Sequence, residues 1–130
     1  MAHAPAPERA IHARLRALRG PTPAGAALVG RLVESFLARA PAYLADLDQA
    51  VRHGDARSVV RHAHALGGMA GNLGAAPLAE ICERLELAPT ELFDDLMVEL
   101  RAAFAGVRPV FREIIGFADD SYPDGNPAGP

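Results

Sequence analysis

The sequence contains no lysine and no tryptophan, and its single cysteine is Cys82. One cysteine excludes an internal disulfide and fits a reducing compartment. All 13 basic residues are arginine, which alongside so much Ala, Gly and Pro reads as coding bias rather than a functional choice. Aromatic residues are only 5% of the chain and nowhere interleave with a basic run, so nucleic-acid recognition has no support. A formal charge of −3 gives no long-range attraction to nucleic acid or to an anionic membrane surface. No segment approaches the ~20 apolar residues of a membrane span. The opening residues, Met-Ala-His-Ala-Pro-Ala-Pro-Glu-Arg, lack the apolar stretch of a signal peptide. These absences together lead us to expect a soluble cytoplasmic protein, not associated with membrane. Sustained period-two alternation is also missing, which leaves no candidate strand.

What is present is helical periodicity. The 130 residues fit one domain, and the 50% that are hydrophobic are enough for a real core. Residues 1–6 are Pro- and Ala-rich and are expected to be flexible. Ile11, Leu15 and Leu18 mark a short amphipathic helix over 7–19, ended by Gly20-Pro21-Thr22-Pro23. A long helix follows from about 24 to 53, with Leu28, Val29, Leu32, Val33, Phe36, Leu37, Tyr43, Leu44, Leu47 and Val51 on its apolar face. Pro41 predicts a kink or short break in it near 38–41. Gly54 and Asp55 supply a left-handed stop and the cap of a third helix, 56–71.

Residues 72–76 connect to a fourth helix, with Pro77 in its first turn and Leu78, Ile81, Cys82 and Leu85 facing inward. Thr90 is the expected cap of a last helix, whose stripe runs from Leu92 and Phe93 to Ile114 and Ile115. Gly106 and Pro109 are expected to bend or interrupt that helix. Residues 119–130 are polar and rich in Pro and Gly, the composition of a disordered tail. The predicted fold is all-α: an up-down-up-down four-helix bundle over 7–118, with the short first helix packed on it as an appendage.

The segment Arg61-His-Ala-His-Ala-Leu-Gly-Gly-Met-Ala-Gly-Asn-Leu-Gly-Ala75 carries the functional signal. With Leu66 set as the core direction of the third helix, a turn of ~100° per residue brings Val59, Ala63, Ala70 and Leu73 to the same side. His62 falls about 40° from that direction and His64 about 160° from it. His62 is therefore expected to be a half-buried packing residue, and His64 an exposed one. Arg57, Arg61, Gly68 and Gly71 share the outward stripe with His64. Glycine costs a helix roughly 1 kcal/mol against alanine. Close helix packing does not explain Gly68 and Gly71, which point away from the core, whereas Gly67, about 100° off, could serve it. Glycines beside an exposed imidazole keep the ground flat for a macromolecular partner.

His64-Ala-Leu66-Gly-Gly68-Met-Ala-Gly-Asn72-Leu73-Gly74-Ala75, followed by Leu78, Cys82, Leu85 and Glu86, resembles the signature of the histidine-containing phosphotransfer (HPt) domains of bacterial two-component phosphorelays. The likeness covers about residues 58–86. It implies a bundle whose His64 accepts a phosphoryl group from the aspartate of a receiver domain and passes it to another receiver. It also implies receiver domains of response regulators or of a hybrid histidine kinase as partners. Gly68 is the small residue that admits the partner; Gly67 and Gly71 extend the flat ground, and Arg61 and Arg57 complement an acidic receiver pocket. Mg²⁺ is expected in that pocket, with no cofactor on this chain, and a monomer is expected. The family usually has Lys where this chain has Gly67; Arg61, one turn before His64, is a candidate source of the missing charge.

Neutral imidazole is a nucleophile near pH 7, and phosphoryl transfer asks mainly for positioning and charge stabilisation. No Gly-x-x-x-x-Gly-Lys-Ser/Thr loop occurs, so a phosphocarrier without its own ATP site is expected rather than an enzyme. The competing reading is a non-transferring HPt-like adaptor that binds a receiver or kinase, supported by the absence of the Lys. A metal site built on His62 and His64 with Met69 or Cys82 is disfavoured, because residues two apart on a helix do not face one ligand. Ser35, Ser58 and Ser121 have no recognisable nucleophile setting.

Overall fold

The computed structural model describes residues 6–119. The expectations of a flexible start and a disordered tail fall outside these residues, except for Ala6 and Asp119, which end the first and last helices. The described chain is all-helical: α1 (Ala6–Arg19), α2 (Pro23–Arg52), α3 (Ala56–Asn72), α4 (Ala76–Leu87), a single 3-10 turn (Thr90–Leu92) and α5 (Phe93–Asp119). Helix α2 packs on α3 and α5, and α4 packs on the same two, so these four helices close into a ring around the core. The contact between α3 and α4 is the most extensive.

Local chemistry sets the boundaries. Thr22 Oγ1 accepts the Gly25 N–H at 3.0 Å, and Pro23 takes the first helical position of α2. Gly54, at φ 65°, ends α2, with the Asp55 N–H bonded to the Ala50 carbonyl and the Gly54 N–H to that of Val51. Asp55 then caps α3 by accepting the Ser58 N–H at 3.2 Å. The α3–α4 turn repeats the first device. Gly74 has φ 82°, Ala75 N–H bonds the Ala70 carbonyl, and Gly74 N–H bonds that of Gly71.

The prolines do not interrupt their helices. Helix α2 runs unbroken through Pro41, and α5 runs unbroken through Gly106 and Pro109. Each proline removes one backbone donor, yet both lie on exposed faces where water can serve the freed carbonyl. Their opposite faces are anchored by Phe36, Ala40 and Leu44 in α2 and by Phe104, Val107 and Phe111 in α5. The Phe36 ring meets those of Phe104 and Phe111 at centroid distances of 6.0 and 5.1 Å.

Two further expectations are corrected. Thr90 caps nothing: it lies inside the 3-10 turn, which has no side-chain cap and follows Pro89. That turn has three residues per turn rather than 3.6, which takes Leu92 out of register with the α5 stripe and leaves it 47% exposed. Leu28, at the start of α2, is exposed as well.

Helix α1 is not an appendage. Ile11 is 0% exposed within the core, and Leu15 is buried beside it; each such side chain contributes about 1.5–3 kcal/mol when removed from water. Helix α1 crosses the α3–α4 turn so closely that a Cβ at Gly74 would stand 2.7 Å from the Ala10 carbonyl oxygen. Arg14 then donates from Nε to the Asn72 carbonyl at 2.8 Å and from its terminal nitrogen to Asn72 Oδ1 at 3.1 Å. A side chain from α1 thereby serves a carbonyl at the C-terminal end of α3.

Candidate functional site

The site is built on the α3–α4 hairpin. Val59, Ala63, Leu66, Ala70 and Leu73 are buried, which fixes the rotation of α3. That rotation leaves the His64 side chain 80% exposed. His62, two residues earlier, is half-buried toward α2, its ring centroid 6.3 Å from that of Tyr43. Arg39 donates to the Tyr43 hydroxyl at 3.3 Å on the same side.

The two helices pair antiparallel by reflection through the Gly74-Ala75 turn. Gly71 lies opposite Ala79, Gly67 opposite Cys82, and His64 opposite Glu86. The last pair is a contact: His64 Nδ1 is 3.2 Å from Glu86 Oε1. A proton on Nδ1 donates to that carboxylate, and Nε2 then carries the lone pair. Nε2 and Nδ1 are separate positions of the ring, so the bond to Glu86 leaves Nε2 for a reaction with something outside. Glu86 itself is mostly covered, which limits the carboxylate's freedom.

The three glycines have different surroundings. Gly68 is exposed, and a Cβ there would meet nothing within 4 Å. Gly71 is exposed too, and its Cβ would make an ordinary 3.8 Å contact with Ala79. Gly67 faces the neighbouring helix: a Cβ there would stand 2.9 Å from the Cys82 Cβ. Close approach of α3 and α4 therefore accounts for glycine at 67.

Arg57 and Arg61 are exposed on α3, on the N-terminal side of His64. Arg61 donates to Ser58 Oγ at 3.1 Å, and Ser58 Oγ donates to Asp55 Oδ2 at 2.7 Å. The Asp55 carboxyl is held below its ordinary range, first by the Ser58 hydroxyl, then by the Ser58 N–H, and further by Arg61 and Arg57. The Cys82 thiol is pushed up to about 12, chiefly by burial and secondarily by the Glu86 charge. Val60, one turn before His64 on α3, and Leu87, next to Glu86 on α4, are exposed apolar residues.

Among the described residues no group of three His, Cys, Asp or Glu side chains is arranged to hold a metal ion, and no helix is long and apolar enough to cross a membrane. Sequence reasoning missed Glu86 as the partner of His64, noting it only as part of a pattern. The signal was available: a tight turn centred on Ala75 reflects position 64 onto position 86.

The family model described as Hpt domain matches residues 31–109, from within α2 to within α5. No curated protein and no solved structure matches the chain.

Proposed function

The chain belongs to the Hpt domain family, whose members are phosphocarriers in phosphorelays, and from that premise we propose that His64 is its phosphoacceptor. In this reading α2 to α5 form the family's up-down-up-down bundle, and the protein relays phosphate between the aspartates of two receiver domains. The observation that carries the proposal is the exposed imidazole tied through Nδ1 to Glu86, with Gly68 open beside it.

The chemistry follows from that arrangement. The lone pair on Nε2 attacks the phosphorus of a receiver's aspartyl phosphate. The Nε2–P bond forms as the P–O bond to the aspartyl oxygen breaks, and the bonding pair leaves with the carboxylate. Nδ1 keeps its proton throughout, so the ring gains positive charge as the new bond forms. Glu86, 3.2 Å from Nδ1, opposes that charge with its carboxylate and holds the tautomer that presents Nε2. The return step is the same exchange with a second receiver. Gly68 admits the receiver surface; Val60 and Leu87 offer apolar contact, and Arg57 and Arg61 suit an acidic pocket.

The test is incubation with a receiver domain phosphorylated on aspartate, in the presence of Mg²⁺. Wild type acquires acid-labile, alkali-stable label; His64→Gln acquires none. Binding of phosphorylated receivers without any label on His64 would turn the reading into that of an adaptor.

A further inference from the structure

A phosphoryl group on His64 Nε2 is a dianion, and the α4 side of the ring is a poor place for one. Glu86 is in contact with the imidazole, and Glu80 and Glu83 are exposed on the same helix. A cation is needed on the other side. It cannot come from position 67, where Cys82 leaves no room for a side chain, and Gly68 carries none. Arg84 and Arg101 are committed to carboxylates, Arg84 to both oxygens of Glu99 and Arg101 to Asp48.

Arg61 is placed differently. It lies three residues before His64, the spacing that makes helix side chains neighbours. Helical side chains lean toward the N-terminus and cover the preceding turn. By the same lean Arg61 reaches back to Ser58, so its long side chain swings toward the C-terminus to meet a group on His64. The Arg61 guanidinium is bonded to the Ser58 hydroxyl with the Asp55 carboxylate behind it, and a dianionic phosphoryl group offers it more charge and a bidentate set of oxygens instead.

Resting on the phosphocarrier reading above, we infer that Arg61 is the positioning cation of phosphorylated His64: it leaves Ser58 and pairs with the oxygens of the phosphoryl group on Nε2. Ser58, itself held by Asp55, is its resting station in the unphosphorylated protein. The pairing offsets one of the two negative charges beside Glu86 and holds the P–N bond against water.

Phosphoramidate tests this on the full chain without any receiver. The Nε2 lone pair attacks phosphorus as the P–N bond of the reagent breaks and ammonia leaves, giving phosphohistidine. The measurements are the hydrolysis rate of the phosphorylated protein and its ³¹P chemical shift. Arg61→Ala is expected to shorten the phosphohistidine lifetime about fivefold and move the ³¹P resonance, with Arg61→Lys restoring part of both. Arg84→Ala, which removes the same charge elsewhere, keeps the wild-type values. Wild type in 1 M salt, where the Debye length is about 3 Å, approaches the lifetime of Arg61→Ala. An Arg61→Ala protein with wild-type helicity, lifetime and resonance overturns the inference and leaves the relay reading standing. A phosphorylated wild type that exchanges with no receiver overturns the relay reading alone. A His64 that takes no phosphoryl group from the reagent overturns both.

Discussion

Gly67 and Cys82 face each other across the α3–α4 contact at a separation that admits no Cβ on the glycine. The neighbouring Gly68 faces open space. Two adjacent glycines in one helix therefore have opposite reasons for being there, and substitution separates them. Gly67→Ala gains up to ~1 kcal/mol of helix propensity but pushes its methyl against a Cβ that sits close to the α4 backbone, an overpacking of about 1–3 kcal/mol. Net destabilisation is expected. Gly68→Ala meets nothing and is expected to stabilise by up to ~1 kcal/mol while slowing transfer from a receiver. Urea midpoints for the two variants check both signs. Gly67→Lys is expected to behave like Gly67→Ala in stability.

The tie between Glu86 and His64 predicts a graded series. Glu86→Gln keeps an acceptor for Nδ1 but loses the charge, and Glu86→Ala loses both. Transfer from a phosphorylated receiver is expected to fall about tenfold in Glu86→Ala, the equivalent of ~1.4 kcal/mol for a charge-assisted hydrogen bond, with Glu86→Gln between it and wild type. His62→Gln, on the opposite side of α3, is expected to leave most of the transfer in place. Initial rates of label uptake decide the order.

The Asp55 cap gives the fold an acid dependence. Its carboxyl is held below the ordinary range by Ser58 when folded and returns to about 3.9 when unfolded. Its contribution is therefore fully present above about pH 4 and is lost as the pH falls through the lower, folded value. Asp55→Asn, which retains an acceptor for the Ser58 N–H, is expected to flatten this part of the profile. Denaturant midpoints between pH 6 and pH 2.5 measure the difference.

Cys82 carries the opposite sign. Burial pushes its thiol up to about 12, so the folded state holds a proton that the unfolded chain releases near 8.5. Its contribution is present below that value and declines as the pH rises toward 12. At pH 8 the native protein is expected to be inert to a thiol reagent and to react fully in denaturant. Reaction of the folded protein at the rate of a free thiol would contradict the packing of Gly67 on Cys82.

Helix α1 lies outside the residues matched by the family, yet Ile11→Ala is expected to lower stability by about 2–5 kcal/mol, as for a core residue. Removal of Arg14 alone is expected to loosen the end of α3 with a smaller effect. Thermal unfolding of the two variants gives the ranking. An Ile11→Ala protein as stable as wild type would restore α1 to the status of an appendage.

Much of this was legible in the sequence because it depends on local periodicity. The phase of α3 separates His62 from His64 with no tertiary information, and Gly54-Asp55 and Gly74 announce their turns by residue type. The partner of His64 was harder to see, since it requires knowing how α4 folds back, a relation between helices rather than within one. Pro41 and Pro109 read as sites of a kink, bend or break because propensity is local; both helices continue through them, with buried faces opposite. Thr90 read as a cap because it precedes an apolar stripe, but a 3-10 turn intervenes. Ile11 and Leu15 looked peripheral because a short helix bounded by prolines gives no sign of what its apolar side will cover.

The docking of α1 onto the Gly74 turn also orders events in time. His64 and Glu86 are 22 residues apart in the chain, whereas Arg14 and Asn72 are 58 apart. Closing the longer loop costs about 0.8 kcal/mol more in chain entropy, so the α3–α4 hairpin has the easier route to assembly and α1 joins a surface already made. Unfolding run in reverse starts with the departure of α1. The hairpin that holds the imidazole against its carboxylate is then among the first parts of the molecule to form and among the last to be lost.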